Sequence, residues 1–335
     1  MKIFHFFLLF WLLCFLPFTV SCQQKIATFN DKPSAAVTPT KTQKTYQDLI
    51  IGYAQIGAES EWRSANTLSI KETAEELGIE LRFADAQQKQ ENQIRAIRSF
   101  IVQKVDVIGI SPVVETGWET VFREAKEVGI PIVLVDRRAD VPEDLYISYL
   151  GSDFFEEGRN AARTLAKIVN GKANIVELVG TIGSAPANDR YKGFREIIKQ
   201  YPQMKIINSQ SGDFTRAKGK EVMESFLQHR GRSITALYAH NDDMALGAIQ
   251  AIEEFGLRPG VDIKIVSIDA AHGAFEAMIA GKLNATIECN PLLGSQFFEL
   301  ALKVVNNEDV PKWVPSIEDI FLPHNAEEIL PFRKY

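Results

Sequence analysis

Apolar positions along this chain fall into two alternating rhythms. Short runs rich in Ile, Val and Leu stand at Leu49 to Ala54, Ile79 to Phe83, Val105 to Ile110, Ile130 to Val135, Ile175 to Val179, Ile206 to Ile207, Ile234 to Tyr238 and Ile263 to Ile268, and read as strands. Between them the spacing changes to three and four. Ile94, Ile97 and Ile101 share one helical face, and Trp118, Val121, Phe122 and Ala125 share another. Gly158, Ala162 and Leu165 repeat the pattern, as do Met223, Phe226 and Leu227. Ala245, Ile249 and Ile252 open a helix that Gly256 and Pro259 end. Strands and helices alternating in this way predict parallel sheets covered by helices, an α/β fold. About eight such pairs exceed one small sheet, so the chain divides near Gly151, with Tyr146 to Leu150 available to cross between halves. A length of 335 residues accommodates two cores of ordinary size.

Polar residues gather where the predicted strands end. After the first strand come Glu59, Ser60, Glu61, Trp62 and Arg63; after the fourth, Asp136, Arg137 and Arg138; then Asn188-Asp189-Arg190, Asn241-Asp242-Asp243 and Asp269. In open α/β sheets the crevice beyond these ends is where small ligands sit. Any one segment has a bland explanation, since Asp and Asn often only cap helices, the role expected here for Asp243. Arg138 and Asp189 are expected to be solvent-facing or structural. Five segments in one topological position suit a polyol, which needs many directed donors and acceptors. Asp136 and Asp269 accept, Arg63, Arg137 and Arg190 donate through planar forks, and Asn241 does both. Trp62 is either core or a flat face for the C–H side of a sugar ring.

Composition adds limits. With 46% hydrophobic and 24% charged residues the chain reads as globular, and a net charge of −6 without a basic run argues against nucleic acid. Lys2 and the apolar run from Ile3 to Val20 read as an export signal over residues 1–22, a membrane span being the competing reading at this length. Residues 23–46, rich in Gln, Lys, Thr, Ser and Pro, read as a flexible tether. Of three cysteines, Cys14 lies in the signal, so no disulfide framework is expected, and Cys289 reads as a small buried apolar residue. The five His show no zinc-like spacing, and Ile51 to Gly57 lacks the glycine pattern of a dinucleotide turn. Gly180 to Ser184 is either a phosphate loop or, more simply, a strand-to-helix turn.

Glu59-Ser60-Glu61-Trp62-Arg63, the segment Ala84 to Ile94, Val135-Asp136-Arg137, Gln210 to Arg216 and Ala239 to Met244 together resemble the periplasmic sugar-binding proteins of ABC importers, and among them the galactofuranose-binding proteins. The resemblance covers about residues 48–325, and Thr19-Val20-Ser21-Cys22 resembles a bacterial lipobox with Cys22 as the lipidated residue. It implies two doubly wound parallel-sheet domains joined by a three-segment hinge, residues 48–150 plus 289–316 and residues 151–288 plus 317–335. A monosaccharide would lie between Glu59, Ser60, Glu61, Trp62, Arg63, Asp136 and Arg137 of the first domain and Arg190, Asn241 and Asp269 of the second. Glu61 stands where Gly is expected in close relatives, and Glu288 near the third crossover has no assigned role. Leu283 to Ile287 would return the chain to the first domain.

The expectation is an exported, lipid-anchored, monomeric receptor, in the periplasm or at the cell surface. It closes on a sugar and delivers it to a permease and its ATPase, with no cofactor, metal or catalysis. A sensing protein that shows its closed form to a membrane receptor kinase is the competing reading. A sugar-responsive regulator shares the core fold but needs a DNA-binding head where this chain has an export signal. A sugar-modifying enzyme would turn over candidate sugars.

Overall fold

The computed structural model describes residues 43–335. The export segment, Cys22 and the tether as far as residue 42 lie outside the described residues. The last tether positions behave otherwise than expected: the side-chain amide of Asn306 brackets the Lys44 backbone, accepting from its N–H at 2.8 Å and donating to its carbonyl at 3.0 Å. Among the described residues, no helix is long and apolar enough to cross a membrane.

The chain first builds β1 (Ile50–Gln55), α1 (Glu61–Leu77), β2 (Glu80–Asp85), α2 (Gln90–Gln103), β3 (Val107–Ile110), α3 (Glu119–Glu127), β4 (Ile132–Val135) and β5 (Ser148–Gly151). It crosses at Ser152-Asp153 into α4 (Phe154–Ile168), β6 (Lys172–Val179), α5 (Ala185–Ile198), β7 (Gln203–Ser211), α6 (Arg216–Arg230), β8 (Ala236–Ala239), α7 (Asp242–Glu254), β9 (Lys264–Asp269), α8 (His272–Ile279) and β10 (Ala285–Glu288). It returns through residues 289–293 to place α9 (Gly294–Val305) and β11 (Trp313–Pro315) with the first series. A third crossing, residues 316–319, carries it back for β12 (Ile320–Phe321) and α10 (Pro323–Ile329).

Two six-stranded sheets result, ordered β11-β5-β4-β3-β1-β2 and β12-β10-β9-β8-β6-β7. The order is the same in both, so each lobe has its own point where the strand order reverses and a crevice opens. Every pair is parallel except β10 with β12. Strands β3, β4, β8 and β10 are buried along their whole length, as sheets covered on both faces require. Phe297 and Phe298 of α9 fill one face of the first sheet, and Trp118 and Phe122 fill the other. A division by sequence alone therefore puts α9 with the wrong sheet.

Four local expectations change. Tyr146 to Leu150 does not cross between halves: Ser148–Gly151 forms β5 between β4 and β11 of the first sheet, and the crossing follows it. β7 is nine residues long where only Ile206 and Ile207 showed, because it is an edge strand with few buried positions. The run Leu283 to Ile287 does not return the chain: its strand pairs with β9 in the second sheet, and the return follows Cys289. Asn188, Asp189 and Arg190 stand within α5 and not at a strand end. That helix packs on α4 at glycine-to-backbone distance. A Cβ on Gly158 would meet the Arg190 carbonyl oxygen at 2.4 Å, and one on Gly193 would meet that of Phe155 at 2.0 Å. This close approach sets Arg190 beside Glu157.

Candidate functional site

The carboxyl ends of both sheets face one space of about 290 Å³ in the cleft between the lobes, lined from the first lobe by Glu59, Ser60, Trp62, Arg63, Asp136 and Arg137. Phe154, Pro186, Arg190, Phe214, Asn241, Asp269 and Cys289 line the rest. A volume this small takes one small molecule.

In the first lobe Ser60 caps α1, its hydroxyl accepting from the Arg63 N–H at 3.1 Å, which orients Trp62 and Arg63 inward. The Arg63 guanidinium donates to Glu59 at 3.1 Å and to Asp136 at 2.5 Å, and the side chains of all three are at most 5% exposed. Burial opposes ionisation of Glu59, but Arg63 and Arg137 outweigh it and hold the carboxyl below its ordinary value. Burial likewise opposes the Arg63 charge, and Asp136 and Glu59 overcome it, so Arg63 stays charged. Arg137 is held more loosely. It donates to Glu59 at 3.3 Å and to the Val113 carbonyl at 3.3 Å, and its Nε has no partner. Burial and the neighbouring Arg63 push it down to about 10, still charged at neutral pH. One oxygen of Glu59 is also buried without a partner, so two groups beside the space have unused hydrogen-bonding capacity.

The second lobe is built differently. Arg190 donates to Glu157 at 2.6 Å and to the His240 carbonyl at 2.5 Å, which fixes its fork. Asp269 lies 3.7 Å from Arg190, and burial holds its carboxyl well above the ordinary range, an effect Arg190 only partly offsets. Asn241 caps α7, accepting from the Met244 N–H at 3.0 Å while its amide donates to the Phe214 carbonyl at 3.0 Å. Asp136 and Asp269 both have positive φ, 64° and 128°, and Phe214 has 61°. Strained backbone of this kind at non-glycine residues concentrates where ligands are clamped.

Aromatic faces come from both lobes. The Trp62 indole N–H donates to the Cys289 carbonyl at 2.6 Å, fixing the ring against the cavity, with the Arg63 guanidinium 4.6 Å from its centre. Phe214 lies under Arg137 at 5.2 Å, and Phe154 under Arg190 at 5.3 Å. Phe154, Pro186 and Glu157 escaped the sequence reading, because an apolar residue or a buried glutamate on a helix carries no signal until its neighbours are known.

Nine of the ten expected site residues line the cavity, and Glu61 does not. Its side chain is 39% exposed and reaches Arg216 of the second lobe at 3.6 Å, since α1 turns that position toward the rim. Burial and Asp243 raise its carboxyl above the ordinary value. Asp243 is not the cap expected of it. It accepts from the Glu61 N–H at 2.7 Å and from Arg216 at 3.0 Å, tying the lobes together. Arg138 pairs with Asp189 across the cleft, and Asn188 donates to Glu115 at 2.5 Å. Asp242 faces inward to Ser267, Thr286 and the Ala271 N–H, and burial pushes it up to about 7. Glu288 holds Arg333 and Tyr335, each at 2.7 Å, and so anchors the C-terminus. Gly180 to Ser184 forms a turn whose Gly183 carbonyl accepts from the Glu115 N–H at 2.9 Å.

A family model described as a periplasmic binding protein domain matches residues 51–309. The galactofuranose-binding protein YtfQ of Escherichia coli (strain K12) is 49% identical over 291 residues, covering 85% of this chain and 92% of its own. The binding component of the arabinose ABC transporter from Shewanella sp. ANA-3, solved with α- and β-L-arabinofuranose, is 48% identical with a TM-score of 0.83 over 85% of this chain and 95% of that one. A Mycobacterium smegmatis protein solved with β-D-fucofuranose is 51% identical with a TM-score of 0.84 over 86% and 95%.

Proposed function

The chain belongs to the periplasmic binding protein family, and from that premise we propose that its cavity takes one monosaccharide in the furanose form, galactofuranose or a close relative, for delivery to an ABC importer. The observation that carries this reading is the lining of that space. Three guanidinium groups and three carboxylates face it from two lobes, beside an indole face and two phenyl rings. Such a lining matches a ligand with hydroxyls around its edge and C–H groups on its face.

The similar proteins at about half identity carry furanoses in their names, in three different sugars, which supports ring form more than sugar identity. The same similarity favours transport over sensing, and nothing in the lining calls for a reaction. Binding sites on this reading are Glu59, Ser60, Trp62, Arg63, Asp136, Arg137, Arg190, Asn241 and Asp269. Glu61 acts at the rim as an interlobe contact. The working halves are residues 48–150 plus 289–316 and 151–288 plus 317–335, which separate by bending at the three crossovers.

The family places the protein in the periplasm. The apolar leader and Cys22 support lipid anchoring there, which mass spectrometry of the mature N-terminus tests. Calorimetric titration with galactofuranose, arabinose, ribose and glucose tests the sugar. One-to-one binding that favours the furanose-rich ligands supports the reading, and no heat with any of them would refute it.

A further inference from the structure

The three crossovers meet in a side-chain cluster that borders the sugar cavity through Cys289 and extends away from it. Ser152 of the first crossover lies with its hydroxyl 3.4 Å from the Cys289 sulfur of the second, and donates to Glu318 of the third. Glu157, one turn into α4, completes the group. One donor atom from each of Glu157, Cys289 and Glu318 lies within 4.8 Å of the other two, and among the described residues no other three His, Cys, Asp or Glu donors gather as closely.

Acidity and solvent access add to this. A pocket beside the cluster is lined by the carboxylates of Asp153, Glu156, Glu157, Glu318 and Asp319 among apolar Ile287, Pro315 and Ile320, with Glu156 already paired to Arg159 and Arg163. Within it Glu157 is 2% exposed, and its Oε1 is buried with no hydrogen-bond partner. Its other oxygen is occupied by Arg190 at 2.6 Å, which leaves the Cys289 thiol as the nearest protein group to the free oxygen. A buried carboxylate oxygen without a donor is costly, and a metal ion is one partner that satisfies it.

We propose that the meeting point of the crossovers is a Zn²⁺-class metal site with Glu157, Cys289 and Glu318 as ligands. A thiol among carboxylates favours a borderline metal over Ca²⁺ or Mg²⁺, which take oxygen donors. Zinc bonds of about 2.0–2.3 Å hold tetrahedral donors roughly 3.3–3.8 Å apart, so the carboxylates must close by about an ångström. Glu318, on the short segment between β11 and β12, has the freedom to do so. Sequence spacing hides the site because its ligands come from three separated segments.

The consequence is mechanical, since one ion tied to two crossovers and the start of α4 restrains the bend on which closure depends. The site does not depend on which sugar the cleft takes. Equilibrium dialysis of the full chain against Zn²⁺, with metal measured by mass spectrometry, is compared with Glu318→Gln, which lies outside the cavity lining. The structure predicts one tightly bound Zn²⁺ in the wild type, weakened roughly tenfold or more by Glu318→Gln, and no competition from Mg²⁺. In a Cys14→Ala, Cys22→Ala background, Co²⁺ should give a thiolate charge-transfer band from Cys289 alone, which keeps the test open if Glu318→Gln fails to fold. Absence of tight Zn²⁺ binding in the wild type, equal binding by Glu318→Gln, or Co²⁺ uptake without the band would each overturn the proposal.

Discussion

The interior of the cleft and its rim use the same pairing of arginine with carboxylate, yet solvent separates what they can do. Arg63 and Asp136 inside are 2% and 5% exposed, whereas Arg216 and Glu61 at the rim are 46% and 39% exposed. A buried pair is expensive to break because the survivor remains charged and unpaired, and an exposed pair contributes about 0–1 kcal/mol. On the proposed reading, the interior sets whether a sugar is held at all. The rim contacts, which join lobe to lobe without touching the cavity, would then bias the balance between open and closed forms.

The largest expected effect is from breaking the interior. Asp136→Ala leaves Arg63 and Arg137 facing each other with only Glu59 between them. Stability should fall by about 3–5 kcal/mol and sugar affinity by roughly 100-fold or more, read by chemical denaturation and calorimetry. Unchanged denaturation with lost binding would mean that the first-lobe network is not structural. Asn241→Ala comes next. It removes both a helix cap and the amide that holds the Phe214 carbonyl, so a loss of about 1 kcal/mol in stability should accompany weaker binding. Binding lost with full stability would show that Asn241 serves the ligand alone.

Rim changes should be milder. Glu61→Gly removes the contact to Arg216, and affinity should fall only a few-fold, by less than about 1 kcal/mol, with the loss reduced further at high salt. A loss as large as that of Asp136→Ala would erase the distinction between interior and rim.

Acid provides a graded test of the interior. Burial opposes ionisation of Glu177, but hydrogen bonds from His240 and Arg195 depress its carboxyl from 4.5 to about 2, and Glu59 is depressed as well. A depressed carboxylate contributes stability that is fully present above about 4.5 and lost as pH falls toward its folded value. His240, buried and depressed below its ordinary 6.5, adds a loss that begins as pH falls below 6.5. Asp242 and Asp269, buried with raised carboxyls, take up protons in the folded state and work the other way, adding stability as pH falls from about 7 toward 4. The net decline in thermal stability should therefore set in below about pH 4.5, and Glu177→Gln should flatten that part.

Much of this arrangement was legible in the chain, for identifiable reasons. Parallel strands buried on both faces must be continuous apolar runs, so β1, β3, β4, β8 and β9 announce themselves, while the half-exposed edge strand β7 does not. Polar residues at strand ends pointed to the site, because an acidic or amide residue after a β-strand has few bland purposes when repeated at four strand ends, although the fifth segment, Asn188 to Arg190, lies inside α5. Register within a turn was not legible. Glu61 and Trp62 are neighbours in sequence, and only the helical turn after Ser60 sends one outward and the other inward. Asn241 and Asp243 are chemically similar capping residues, and which one caps α7 depends on Arg216 and the Glu61 N–H, contributed by distant segments. Glu157 was invisible for the same reason, since its partner Arg190 is 33 positions away.

The central claim is that the cavity between the lobes selects a furanose ring. Carbon NMR of isotopically labelled galactose tests it directly, because that sugar exists in solution mostly as pyranose with a small furanose fraction. Added protein should remove the furanose anomeric signals first, up to one sugar per chain, and Asp136→Ala should abolish the effect. Depletion of the pyranose signals in proportion, or ahead of the furanose ones, would contradict the account.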